Sequence, residues 1–496
     1  MLKTVFNLPN EQRQKIGIIG AGAMGVSTAC ILARLGIAKI TIFEAESKPF
    51  NNKGASSNNT GILHHFVYGG HQPTLEYFFK QSIFFEKLMP EYVFGDRYIN
   101  YLLPNDRGNT AIHEPGINFK DIATYLVDIY QSHLKNYPNE NFLGSANDLV
   151  KILDEDMINT LVCKTNSSHQ GKIAGGLKIR QSVLNIGEYV CHMVNLLELV
   201  SKQNLVTINY NHKVKNIRIK DKNFELNIND NNLDHFDTVI NAGYATGLEI
   251  PIPIPRNKEY IEGNLVKLKV YGLYKIPLNL KLQLPELKNF SSTILIRGQY
   301  GGIIQVGTDI LAVFSGSEYN QAEWDFPISE SSISIPKEWL QNKEEIMGKP
   351  EVDITKSIKH NLARWIPWAK ELEDIKLKKA IQVYPRRKPT NDLEAAQRDD
   401  NPIRYMYQHK NGGKYIHIPG FKLTSIPYQA FQVVLEILSI YIQKGILSQK
   451  QVNQHIILDS NRQIILSPEM EYALGKNLKQ SALSEREKII KEWDIY

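Results

Sequence analysis

The chain has 496 residues, 42% hydrophobic and 22% charged, a globular composition long enough for about three domains and unlike that of a disordered chain. Its net charge of +6, from 58 Lys+Arg against 52 Asp+Glu, is too small an excess at this length to point to nucleic acid and suits at most an anionic cofactor, substrate or membrane surface. Three scattered cysteines, Cys30, Cys163 and Cys191, argue against a disulfide framework or a zinc site and for a reducing, cytoplasmic compartment.

No apolar signal core precedes Lys15. Residues 15–19 form a short β-branched run, and Gly20-Ala21-Gly22-Ala23-Met24-Gly25 supplies a turn. Residues 26–35 read as a helix capped by Gly36, and residues 39–43 as a second strand ended by Glu44. In such a unit Gly20 permits the tight turn, Gly22 lets the backbone approach a pyrophosphate, and Gly25 lets helix and strand pack closely. The helix N-terminus offers free N–H groups and a positive dipole end to the phosphates. Glu44, 24 positions after Gly20, stands where an acid accepts a ribose hydroxyl. The strand, turn, helix, strand and acid together predict a dinucleotide site.

A compact nicotinamide-binding domain would soon begin another helix. Instead a long polar loop follows, Gly54-Ala55-Ser56-Ser57-Asn58-Asn59-Thr60-Gly61, and then Ile62-Leu63-His64-His65. Here the chain resembles the D-amino-acid oxidase/glycine oxidase superfamily of FAD-dependent oxidoreductases, which also includes sarcosine oxidases and 2-hydroxyglutarate dehydrogenases. The resemblance implies that Ala45 follows the ribose-binding acid and that Ser56, Ser57, Asn59, Thr60 and Gly61 run under the flavin end of FAD. Two later stretches extend it. Residues 205–219 and 224–251 read as strands and a hairpin returning to the cofactor sheet, with Val214 at the adenine side and Ala242 and Gly243 at the strand end. Residues 412–438 are similar to the family's last FAD motif, with Gly420, Phe421, Lys422, Leu423 and Thr424 at its turn. A helix N-terminus there would stabilise the negative charge of reduced flavin, and Lys422 would add to it.

These scattered blocks imply an α/β fold with a discontinuous Rossmann-like FAD-binding domain at residues 1–72, 174–250 and 385–450. Residues 73–173 and 251–384 are expected to form an α+β substrate domain with a mainly antiparallel sheet, and residues 451–496 a polar helical tail. The apolar stretch at residues 426–447 contains Gln429, Gln432, Glu436 and Lys444. It reads as an amphipathic helix, compatible with peripheral membrane contact, rather than a span.

A flavin with an open ring face takes a hydride from a substrate. A hydroxy acid would further need a base, and His64, expected beside the flavin, suits that role or covalent flavin attachment; His65 is the alternative. A carboxylate substrate calls for an arginine fork. Arg387, near Pro389, Thr390 and Asp392, is the best candidate, with Arg386 as its alternative and Arg297 as a second; each also suits a surface ion pair. Tyr300, Tyr319 and Tyr384 fit either a pocket lining or the core. The first expectation is oxidation of an amino acid or related amine, with oxygen or a quinone as acceptor. The alternatives are a 2-hydroxy-acid dehydrogenase and a non-catalytic flavoprotein with an assembly role. No metal-ligand spacing or nucleic-acid motif is present.

Overall fold

Two sheets organise the chain, and the first grows from the opening segment. In the computed structural model, Gln14–Ile19 lies between two parallel partners: Ala38–Phe43, with Ile18 beside Ile42, and Thr238–Asn241, with Ile18 beside Ile240. Val206–Asn209 extends one edge in parallel, Lys414–His417 extends the other, and Tyr405–Gln408 adds an antiparallel strand. Ile16, Ile18, Ile40, Ile42, Val239 and Ile240 are all buried, as strands covered on both faces require. The chain first builds to one side of Gln14–Ile19 and later returns to the other. The C-terminal end of that strand is therefore a topological switch point, where open α/β sheets bind ligands.

The structure describes the chain except residues 1–3, 52–53, 67–71, 95–96, 105–117, 163–172, 222, 230–231, 252–263, 286, 288–289, 297–300, 308, 316–319, 326–334, 341–344, 347, 386–404, 409–412, 419–421, 460–462 and 477–496.

Helix Ala23–Leu35 is buried along its length except at Arg34, and Gly36, at φ 71°, closes it. Its Val26, Ala29 and Cys30 share one core with Val190 and Val194 of Ile186–Lys202 and with Phe431, Val434 and Ile437 of Ile426–Gln443. Leu423–Gln443 is long and apolar enough to cross a membrane, but 67% of its apolar window is buried in the protein. Most of the apolar window is thus used in the core.

The second sheet is mainly antiparallel. Asn264–Lys275 pairs along its length with Glu373–Pro385 and, on its other edge, with Asn320–Asp325 and Ile310–Ser315. Gly301–Gln305, Thr293–Leu295, Tyr98–Pro104, Ile173–Arg180 and Val150–Leu153 continue it, with one parallel pair between Thr293–Leu295 and Tyr98–Pro104. Ile173–Arg180 begins where the expected boundary between substrate domain and FAD-binding domain fell, at residues 173 and 174. It joins the second sheet, because its alternate side chains Leu177 and Ile179 pack with Ile99 and Tyr101. A three-stranded antiparallel sheet, Val214–Lys220, Asn223–Ile228 and Asn232–Phe236, packs Phe236 edge-on against Phe43 of the first sheet.

The expected helical tail is corrected over residues 451–476. Helix Gln449–Asn453 is followed by a hairpin, Ile456–Leu458 with Ile464–Leu466. Val452, Ile456, Ile464, Leu466, Met470 and Leu474 enter the core beside the first sheet. Burying those apolar positions outweighs the helical appearance of the polar residues between them.

Candidate functional site

The turn after Gln14–Ile19 rests on three glycines with different surroundings. Gly20 has φ +96°, and a Cβ there would stand 3.0 Å from the Ala242 carbonyl oxygen. Its N–H donates to Phe43 O at 2.8 Å, while Ala242 N–H donates to Ile19 O at 2.9 Å. The ends of the two neighbouring strands are thereby drawn to the turn. At Gly25 a Cβ would lie 2.0 Å from Gly20 O, so the helix sits too close for any side chain. Gly22 is different. Among the described residues a Cβ there would meet only Ser56 Oγ, at an ordinary 3.6 Å. The space beside Gly22 is open, as a pyrophosphate cradle requires. Gly22 is the helix N-cap with no side-chain cap, and the first turn carries no acid to repel an anion. Ala23 N–H donates to Ser56 Oγ at 3.2 Å, and Met24 and Gly25 complete that first turn.

Glu44 is buried, and both its carboxylate oxygens are engaged. Oε2 accepts from Ala21 N–H at 2.7 Å and Oε1 from Glu46 N–H at 3.0 Å. Burial raises its pKa above the ordinary carboxylate range, against the lowering effect of those N–H donors. Each oxygen keeps a lone pair, so the carboxylate fits ribose hydroxyls. Ala45 beside it is exposed, and Val214 is buried at the start of its strand. Gly243 N–H donates to Asn241 Oδ1 at 3.1 Å.

The polar loop folds back on itself. Ser57 Oγ donates to Asn51 O at 2.7 Å, and Gly61 N–H to Asn59 Oδ1 at 2.9 Å. Thr60 is half-buried. Gly61, at φ +79°, packs against Val183–Leu184, where a Cβ would lie 2.3 Å from Leu184 O. Beyond it, His64 N–H donates to Thr424 Oγ1 at 3.3 Å. That bond joins two segments, 360 residues apart in the chain, that the resemblance assigns to the same end of FAD. Leu423 and Thr424 are buried in a 3-10 turn leading into Ile426–Gln443, whose first turn has no acid. Lys422 Nζ sits 4.9 Å from the centre of the Phe78 ring. His65 is fully buried and pairs with Glu86 at 3.4 Å, a partner that no motif in the sequence announces.

The described residues thus bring Gly20, Gly22, Ala23, Met24, Gly25, Glu44 and Ser56 to one cradle, and His64 and Thr424 to a second point. Gly420, Phe421, Arg297, Arg386, Arg387, Tyr300 and Tyr319 lie outside the described residues, as does the side chain of Tyr384. Cys30 and Cys191 are buried in the core beside the first sheet.

The profile described as DAO, FAD dependent oxidoreductase, matches residues 15–326. No curated protein sequence matches the chain. Among solved structures the chain is similar to a modified fructosyl peptide oxidase from Aspergillus nidulans, at 16% identity and a TM-score of 0.56, covering 86% of this chain and 91% of that one. It is also similar to an L-amino acid deaminase from Proteus vulgaris, at 12% identity and a TM-score of 0.52, covering 88% and 96%. A glycine oxidase from Geobacillus kaustophilus gives 13% identity and a TM-score of 0.51, covering 86% and 95%. At such identities the likeness to these structures shows the fold. With the profile spanning both the dinucleotide cradle and much of the second sheet, the chain belongs to the DAO family of FAD dependent oxidoreductases.

Proposed function

We propose that this protein oxidises the C–N bond of an amino acid or related amine and passes the electrons to oxygen or a quinone. FAD, when bound, would supply a hydride acceptor for the carbon bearing the amine, leaving an imine for water to hydrolyse. The observation that carries the reading is the His64–Thr424 contact, which places the segment after the polar loop against the start of a long helix. That helix end favours negative charge in front of it, and Lys422, steadied on Phe78, adds a cation. Support for an amine comes from the similar folds, named for a glycine, an L-amino acid and a fructosyl peptide. Arg387, with Arg386 as its alternative, and Arg297 are the groups we assign to a substrate carboxylate, whose geometry matches a guanidinium fork.

A second reading, oxidation of a 2-hydroxy acid, is favoured by the half-buried His64 at the same contact, since an imidazole there suits removal of the hydroxyl proton. Anaerobic addition of amino acids, secondary amines and 2-hydroxy acids to the FAD-loaded protein separates the two. Bleaching of the flavin band by an amine supports the first reading. Bleaching by hydroxy acids alone replaces it with the second, and no bleaching across the panel counts against both.

A further inference from the structure

The loop carrying His64 is fixed from several directions. Gly61 O accepts from Leu184 N–H at 2.7 Å, and Leu63 N–H donates to Ser182 O at 3.2 Å. Phe66 O accepts from Gln181 Nε2 at 3.3 Å and from Tyr101 Oη at 3.4 Å. The remaining anchor is His65, which is 0% exposed, facing Glu86, which is 2% exposed, from helix Gln72–Leu88.

The chemistry of that pair follows from its geometry. His65 Nδ1 lies 3.1 Å from Leu63 O. A carbonyl oxygen only accepts, so Nδ1 carries a hydrogen. Nε2 then faces Glu86 Oε2 at 3.4 Å. Two bare acceptors cannot rest against each other among the Phe66 and Phe79 rings, whose centres lie 6.4 Å from the imidazole, because buried polar groups without a donor are costly. One proton between Nε2 and Oε2 removes the conflict, whether the pair is written as imidazolium and carboxylate or as imidazole and carboxylic acid. Both forms are net neutral, which suits a group so far from water.

We propose that His65 and Glu86 form a buried proton-sharing pair that positions the Gly61–Phe66 loop, and through it the His64 backbone at Thr424, for the flavin. They are positioning residues and touch neither cofactor nor substrate. The proposal rests on the reading of the His64–Thr424 contact as the flavin end. A loop held by strand, helix and buried pair keeps its N–H groups in place when charge develops on the flavin, and such preorganisation is what electrostatic stabilisation requires.

The test uses FAD-loaded wild-type protein, Glu86→Ala and Glu86→Gln. Glutamine keeps a donor facing Nε2, whereas alanine leaves Nε2 without a partner. The expected results are stoichiometric FAD in all three, a midpoint potential of bound FAD shifted to more negative values in Glu86→Ala, and a return towards wild type in Glu86→Gln. In wild-type protein the nitrogen resonances of His65 should show Nδ1 protonated. One potential shared by all three proteins overturns the proposal, as does equal displacement in both variants. A wild-type His65 with a bare Nδ1 overturns it too, even where Glu86→Ala does not fold. Wild-type protein that takes up no FAD contradicts the site reading instead, and the His65 resonances still decide the pair.

Discussion

Glu44, the ribose acid of the proposed cradle, would couple cofactor binding to pH. Its folded-state pKa is raised by burial. A carboxyl raised in this way contributes stability below its ordinary range, and that contribution is lost as pH rises through the raised value. Ribose hydroxyls donate to the carboxylate and offset the cost of ionising it. FAD affinity should therefore strengthen as pH rises through that window, and Glu44→Gln should flatten the dependence, read by fluorescence titration with FAD. Glu44→Ala would strip the acceptor from Ala21 and Glu46 N–H, at about 1–3 kcal/mol for each donor left buried. At Gly25 the clash with Gly20 O should make Gly25→Ala cost roughly 1–3 kcal/mol or more and abolish FAD uptake. These residues were legible in the sequence because a glycine turn sets its own backbone geometry within a few positions. The His64–Thr424 bond and the His65–Glu86 pair were not, because each joins segments brought together only by the tertiary fold. Glu86 sits in an aromatic helical run that reads as plain packing.

At the scale of elements, a buried histidine is one of the ties that hold the C-terminal segment. His192 Nε2 donates to Leu474 O at 2.7 Å, and its Nδ1 accepts from Tyr92 Oη at 2.8 Å. The bond from Tyr92 needs the neutral imidazole, and burial lowers its pKa below 6.5 against the raising effect of the Leu474 carbonyl. A lowered folded-state pKa means stability present above the unfolded value and lost as pH falls through the folded one. Acidifying from about pH 7 to about pH 5 should loosen residues 449–476 ahead of the sheets, seen as faster hydrogen exchange there. His192→Ala should produce the same loosening at neutral pH and remove the acid dependence. In the core, Phe431 packs edge-on against Phe84 at 5.7 Å and is 0% exposed. Phe431→Ala should cost about 3–5 kcal/mol, measured by denaturant unfolding. The opening strand, helix and strand were readable because local periodicity and capping agree. The C-terminal hairpin was not, since its buried apolar positions are separated by polar residues and its partner core is formed by distant helices. The strand at Ile173–Arg180 was not legible for a related reason: only its pairing with Tyr98–Pro104 shows which sheet it joins.

Across the whole molecule, the chain crosses repeatedly between a mainly parallel sheet that carries the proposed dinucleotide cradle and a larger, mainly antiparallel sheet. The α/β class and the second, mainly antiparallel sheet were legible from where glycine turns and β-rich stretches fall. Strand order was not, because pairing partners lie up to hundreds of residues apart. Ligation should stabilise the folded chain by mass action, by about 2.7 kcal/mol with free FAD at one hundred times its dissociation constant, read as a rise in melting temperature. The central claim is that the cradle at Gly20, Gly22 and Glu44 holds FAD, and the visible absorption spectrum of the purified protein, before and after incubation with FAD and removal of the excess, tests it most directly. The account predicts one bound flavin per chain, with its absorption lost in Gly25→Ala. A protein that retains no flavin absorption under either condition would contradict it.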